Sequence, residues 1–422
     1  MNMPPTGNAE PTPSHSQPRV AADAVFDAVV IGGGPSGATA AKTLADAGLS
    51  VALLDRAGRI KPCGGAIPPR LMQDYAIPDE LIVAKINTAR VISPANRTVD
   101  MHIDGGYVGM VDREHFDEWL RERARTHGAT RLTGRFERLE DIGGGLTRIH
   151  YRSKVGADGE AKSAAETITT RAIVGADGAR SEVARQAIPK YRPAPCVFAY
   201  HEIIVTPETQ AGGAFDGTRC DVVYNGQYSP DFYAWVFPHG KTTSVGVGSA
   251  VKGFSLRQAT RGVRAASDLL AAKTVRTEGA PIPLKPVKRW DNGRNCVLAG
   301  DAAGVVAPAS GEGIYYAMLS GQYAGEAAVE FLTSGEARAL ATARRRFMRE
   351  HGRIFWILRM MQHFWYRNDK RRENFVKICQ DKDVQRLTWQ SYMYKRMERA
   401  SPATHARIFF KDLAHLAGIQ RA

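Results

Sequence analysis

Two groups of residues in this chain have the types and spacing to do chemistry. The first is Gly32-Gly33-Gly34-Pro35-Ser36-Gly37, set between an apolar run at residues 26–31 and a small-residue stretch carrying Ala38, Ala41, Leu44 and Ala45. A second apolar run, residues 51–54, ends in Asp55. Strand, glycine turn, helix, strand and acid in this order predict a dinucleotide site. Gly32 permits the tight turn, Gly34 lets a pyrophosphate approach the backbone, and Gly37 lets helix and strand pack closely. Pro35 and Ser36 open the helix, whose free N–H groups and positive dipole end receive the pyrophosphate. Asp55 stands where a carboxylate accepts hydrogen bonds from a ribose. The second group is Lys61-Pro62-Cys63-Gly64-Gly65-Ala66. A thiol on a glycine loop this close to a bound dinucleotide suggests chemistry more than packing, and without a CxxC partner that chemistry is not disulfide exchange.

Further along, other elements frame the same site. Residues 172–176 read as a strand running into an Asp177-Gly178 turn, and residues 296–299 as another ending in Gly300-Asp301. Residues 308–313 follow, with a helix expected from about Glu312, so that Gly311 and Gly313 flank its opening. Asp112 is a fitting N-cap for a helix carrying Phe116, Trp119, Leu120 and Ala124, which sets Arg113 in its first turn. The run Gly143-Gly144-Gly145 reads as a hairpin turn. No second Rossmann unit is present, so a nicotinamide cofactor would be only a transient visitor. Between the two aspartate turns lies a β-rich stretch containing Tyr233-Ala234-Trp235-Val236-Phe237-Pro238-His239-Gly240. Alternation puts Tyr233, Trp235 and Phe237 on one side of a strand, as a ligand-facing wall or as sheet core.

At 422 residues the chain can form two domains or one large α/β body. Its five cysteines (63, 196, 220, 296, 379) are scattered and odd in number, which speaks against a disulfide framework or zinc site and for a reducing compartment. Residues 1–24 are rich in Pro, Ser, Asn and Ala and read as a disordered leader. The net charge is +14, and residues 341–422 carry 19 Lys and Arg against 7 Asp and Glu. With no nucleic-acid module in view, nucleic acid is not expected as a partner. The basic residues of the tail alternate with Phe355, Trp356, Met360, Phe364, Trp365 and Tyr366. Such a mixture suits an anionic membrane surface, or a helical domain that turns its rings inward and its cations outward.

The glycine pattern with Asp177-Gly178 and Gly300-Asp301 resembles the FAD-dependent aromatic-hydroxylase superfamily. That resemblance sets Asp177 among the cofactor-binding residues, makes Asp301 the ligand of the flavin's ribityl chain and makes Arg113 an arginine that approaches the cofactor. It also turns the helix opening at Gly311-Glu312-Gly313 toward the pyrimidine edge of the flavin. Within this superfamily, the residues YxWxFPxG (Tyr233, Trp235, Phe237, Pro238, Gly240) and the Cys63-Gly64-Gly65 loop resemble the geranylgeranyl reductase family. The segments KPCGGAIP (61–68), LAGDAAGVVAPASGEGIYYAM (298–318) and FWYRNDKRRENFV (364–376) look most like its (bacterio)chlorophyll branch.

The implied fold class is α/β: an FAD-binding Rossmann-like domain of the aromatic-hydroxylase type, with an inserted antiparallel β-sheet substrate domain and a helical C-terminal region. Its expected divisions are 25–190, 191–285, 286–335 and 336–422. The implied activity is flavin-dependent reduction of the isolated double bonds of a geranylgeranyl chain to phytyl, with NADPH as reductant. Geranylgeranyl-bacteriochlorophyll or geranylgeranyl diphosphate would be the substrate. Cys63 would donate the proton or shape the pocket, Tyr233 could relay one, and Trp235 would line the channel. The resemblance places the protein on the cytoplasmic side of a photosynthetic membrane, in contact with pigment-synthesis enzymes. The same frame would also serve an FAD-dependent monooxygenase, which lacks the cysteine loop and aromatic strand, or a membrane-bound scaffold of pigment assembly with little turnover.

Overall fold

The apolar runs that flank the glycine pattern become adjacent parallel strands, Val25–Ile31 and Val51–Asp55. In this computed structural model, residues 24–56, 60–155, 162–209 and 212–395 are described; the leader and the last part of the basic tail lie outside them. Thr130–Thr133 pairs parallel beyond Val51–Asp55, while Lys162–Gly175 pairs with Val25–Ile31 and carries Cys296–Leu298 on its far side. Ala28, Val29, Val30, Ala172, Ile173 and Val174 are all buried. Strands covered on both faces need unbroken apolar sequence, which is why these runs do not alternate. The seven-stranded sheet is completed by the antiparallel pair Arg135–Gly143 and Leu146–Val155. Gly143, Gly144 and Gly145 all take positive φ at the connecting turn, so this glycine run is a hairpin as expected.

Two helices cover the glycine turn. Pro35–Asp46 begins directly on Gly34 with proline in its first turn, and Ile314–Ser334 lies against it. Their seam has little room for side chains. A Cβ on Gly321 would come 2.1 Å from the Ser36 carbonyl oxygen, and one on Gly325 would come 2.9 Å from Thr43 Cβ. The small-residue composition therefore sets how closely the backbone of the glycine turn is braced. The later helix starts at Ile314, two residues after the sequence-based expectation, leaving Glu312 in the turn before it.

A second seven-stranded sheet runs in the order Thr274–Pro283, Cys196–Val205, Thr242–Ser249, Ala234–His239, Cys220–Val223, Thr88–Ile92 and Thr98–His102. Its last two strands come from before residue 191, so this sheet is not built from one continuous insertion. Cys220–Val223 pairs parallel with Thr88–Ile92, a long-range junction that local patterning does not encode. A small sheet of Ala66–Ile67, Val108–Val111 and Ile82–Ile86 links the cysteine loop to this assembly.

The C-terminal region is helical: Thr342–Trp365, Asp369–Ile378 and Lys382–Tyr394. Most of its rings point inward. Phe347, Phe355, Trp365 and Tyr366 are buried, whereas Trp356 is 65% exposed and Met360 48% exposed. The tail is thus a packed element first, with a short apolar patch on its outer face. Among the described residues, no helix is long and apolar enough to cross a membrane.

Candidate active site

The glycine turn opens on an elongated cavity of about 1180 Å3 lined by Gly32, Gly34, Pro35, Ser36, Asp55, Asp177 and Asp301. Gly32 has φ +106° and its hydrogen faces the Ala176 carbonyl oxygen, where a Cβ would come within 2.3 Å. Gly37 is tighter still, since its Cβ would lie 1.7 Å from the Gly32 carbonyl oxygen. At Gly34, by contrast, a Cβ would meet nothing within 4 Å, so the backbone there faces open space. This is the cradle expected for a pyrophosphate, with the Pro35–Asp46 helix start behind it.

Asp55 closes one end of the cavity, beside Arg121. The Arg121 guanidinium lies 3.5 Å from Asp55 Oδ2, donates to the Gly33 carbonyl oxygen at 3.3 Å and pairs with Glu118 at 2.9 Å. Sequence reasoning passed over Arg121, although Arg113, Asp117 and Arg121 sit four apart on the helix Arg113–Thr126, which marks them as one face. Asp177 lines the cavity, but its carboxylate is engaged elsewhere. It accepts from Ser181 Oγ at 2.5 Å and from the Glu182 and Val183 N–H groups at 2.7 and 3.1 Å, capping the helix Glu182–Ala187. Its backbone shapes the wall while its side chain holds the turn.

Pro35, Lys61, Ala199, Ala280, Pro281, Asp301 and Ala317 also line a second, more apolar cavity of about 270 Å3, so the two spaces meet. At their junction Asp301 is nearly buried, on the 3-10 turn Gly300–Ala303, and pairs with Lys61 Nζ at 2.7 Å. Cys63, Gly64, Gly65, Tyr233, Trp235, Phe237, Gly311 and Gly313 all line the apolar side. The two sequence groups that prompted chemical interest are therefore neighbours. Gly64 lets the cysteine loop settle on the Phe237 ring, since a Cβ there would be 3.1 Å from it. His239, two residues beyond Phe237 on the same strand, donates through Nδ1 to the Phe237 carbonyl oxygen at 2.9 Å and packs its other edge against Gly65. Burial holds this imidazole below its ordinary pKa.

Arg113 also lines this cavity, with Cys63 beside it. It is buried and makes a two-point pair with Asp117, at 2.9 and 2.7 Å. Burial opposes its charge, but Asp117 and the Cys63 sulfur beside it hold the guanidinium above its usual pKa. The Cys63 sulfur also receives the Gly65 N–H at 3.4 Å.

The aromatic wall is fixed by polar bonds on its far side. Tyr233 donates its hydroxyl proton to the Ser310 carbonyl oxygen at 2.6 Å, and burial raises its pKa well above the ordinary phenol range. Its proton points at the Ser310 carbonyl oxygen and holds the Ser310–Gly311 turn, so a relay through Tyr233 would have to break this bond. Gly311 needs its φ of +68° here, and a Cβ would come 2.9 Å from the Tyr233 hydroxyl. Trp235 Nε1 donates to Ser244 Oγ at 3.0 Å, and Ser244 meets His201 Nδ1 at 2.9 Å. His201 Nε2 reaches Glu278 at 2.9 Å, and Glu278 is paired with Arg276 at 2.8 Å. This buried chain orients Trp235 and leaves both His201 nitrogens occupied, so His201 lines the cavity with its carbon edge. Trp389 and Tyr392 from the last described helix complete the lining. Neither His201 nor these two rings carried a local signal that would place them here.

An open pyrophosphate cradle, a ribose-facing carboxylate and a buried aspartate at the inner end fit FAD, and the fold and site define an FAD-binding oxidoreductase. Residues 25–349 match the FAD binding domain family. The chain is 57% identical to a geranylgeranyl diphosphate reductase of Rhodobacter capsulatus over 93% of its own length and 98% of that protein. It is 35% identical to the chloroplastic geranylgeranyl diphosphate reductase of Oryza sativa, over 95% of the chain and 88% of that protein. Among solved structures it resembles a geranylgeranyl bacteriochlorophyll reductase-like protein of Thermoplasma acidophilum, with a TM-score of 0.75 at 19% identity, covering 88% of this chain and 97% of that one. The chain belongs to the geranylgeranyl diphosphate reductase family.

Proposed function

We propose that this protein reduces the isolated double bonds of a geranylgeranyl chain, carried on bacteriochlorophyll or as the diphosphate, with NADPH as the source of electrons. The observation that carries this reading is the meeting of two cavities at Asp301, one polar and shaped for a dinucleotide, the other walled by Cys63, Tyr233, Trp235 and Phe237. FAD, when bound, supplies hydride chemistry at that junction. Gly32, Gly34, Pro35, Ser36, Gly37 and Asp55 would hold its pyrophosphate and adenosine end, and Asp301 its ribityl chain. Arg113, Gly311 and Gly313, which line the adjoining apolar cavity, would meet its flavin end.

An isolated alkene has no carbonyl to polarise it, so the protein must position it, exclude water and bring a proton to the carbon opposite the hydride. Tyr233, Trp235 and Phe237 give a smooth wall along which an isoprenoid chain can be presented bond by bond. Of Cys63, Tyr233, Trp235 and Phe237, Cys63 is the group whose transferable proton has no acceptor among the described residues, and Arg113 lies beside its sulfur. Incubating the purified protein with NADPH and geranylgeranylated pigment tests the reading; the products should gain hydrogen pairs. Uptake of oxygen coupled to NADPH oxidation would instead favour a monooxygenase.

The outer face of Thr342–Trp365 supports docking to an anionic membrane. Arg345, Arg349, Arg353, Trp356, Arg359 and Met360 are all exposed, and a solvent-facing tryptophan among arginines suits the headgroup region. On this reading the protein sits peripherally on the cytoplasmic face of a photosynthetic membrane, near the enzymes that supply its pigment. Co-sedimentation with anionic vesicles should fall on Trp356→Ala, and unchanged sedimentation would count against this surface.

A further inference from the structure

The turn that follows Asp301 carries a buried acid that none of this chemistry uses. Glu312, between Gly311 and Gly313, lines the apolar cavity with its side chain 5% exposed. One carboxylate oxygen is held by Lys395 Nζ, whose side chain is 2% exposed, and the other has no hydrogen-bond partner among the described residues. Lys395 stands just past the helix Lys382–Tyr394, which gives the cavity Trp389 and Tyr392. It has φ +56°, a conformation unfavourable for an L residue, and its ammonium group lies 4.5 Å from the Tyr392 ring centre and 5.4 Å from those of Tyr315 and Tyr316.

A buried ion pair is weak as a source of stability, because desolvation consumes most of the attraction, but losing one partner is strongly unfavourable. Its effect is to fix one arrangement. Here it joins a turn that lines the apolar cavity to the helix that covers it with Trp389 and Tyr392. We propose that Lys395 is a positioning residue for the prenyl site: through Glu312 it locks the Trp389–Tyr392 helix over Cys63 and sets the closed shape that receives the isoprenoid chain. Release of the pair lets the roof lift for a long chain to enter, and re-formation closes it around the bond to be reduced.

This inference rests on reading the apolar cavity as the prenyl site, yet its test needs no turnover. The FAD-loaded protein is treated with iodoacetamide, and alkylation of Cys63 is followed by peptide mass spectrometry, with Cys196, the other half-buried cysteine, as internal reference. Lys395→Met should speed Cys63 alkylation by about tenfold or more and leave Cys196 unchanged, because an unpaired buried carboxylate favours the open roof. The exchanged pair Glu312→Lys with Lys395→Glu should return Cys63 toward the parent rate. Hydrogen exchange of residues 382–394 should rise and fall with it. Cys63 alkylation at the parent rate in Lys395→Met would overturn the proposal, and so would equal acceleration of both cysteines, which marks general loosening. A protein that passes this test but adds no hydrogen to a geranylgeranyl chain would sink the proposed function and leave the lock standing.

Discussion

The chemistry rests on few side chains, each with a different burden. Cys63 is the one whose replacement should separate binding from reaction. Cys63→Ala should keep its flavin absorbance while alkene reduction falls by about a hundredfold, the scale expected for removing a positioned proton donor; parent-level turnover would reduce Cys63 to a piece of wall. Trp235 depends on Ser244 in a measurable way. Ser244→Ala strands the buried Trp235 N–H, and denaturant unfolding should show a loss of about 1–3 kcal/mol. Much at this scale was legible in the sequence. Strand alternation placed Tyr233, Trp235 and Phe237 together, and the glycine spacing located the cradle. Two sets of partners were not legible. Nothing local reveals the Ser310 carbonyl that accepts the Tyr233 proton, and the capping partners of Asp177 only converge once Ser181 and Val183 fold back on it.

At the scale of elements, the site exists because two helices and a strand approach more closely than ordinary side chains allow. Gly37→Ala would force a Cβ to within 1.7 Å of the Gly32 carbonyl oxygen, displacing the helix start from the cradle. The purified variant should emerge without bound FAD, and a full flavin complement would contradict the packing argument. The helices and strands themselves were readable from periodicity. Their assembly was not, since the pairing of Cys220–Val223 with Thr88–Ile92 and the roof formed by Trp389 and Tyr392 join residues far apart in sequence. A pattern of apolar residues says that a face is covered, but not by what.

Across the whole molecule, the basic tail changes meaning once it is folded. Its rings mostly complete the core, and one of them, Phe347, packs with Tyr316 against His351. Burial lowers the His351 pKa to about 4, against the opposing pull of Glu350. The unfolded chain therefore takes up a proton near its ordinary pKa before the folded protein does. Stability contributed by neutral His351 is complete above about pH 6.5 and is lost as pH falls toward 4, by at most about 3 kcal/mol. In His351→Leu, the acid limb of a Tm-against-pH curve should be shallower; an unchanged limb would remove His351 from the tail's acid sensitivity. The two joined cavities act together as one site of alkene reduction in the proposed function. Mass spectrometry of geranylgeranyl-bacteriochlorophyll after incubation with the FAD-loaded protein and NADPH tests it most directly. Successive gains of one hydrogen pair on the prenyl chain are expected, and a gain of oxygen, or no change in mass with FAD fully bound, would rule out reduction at this site.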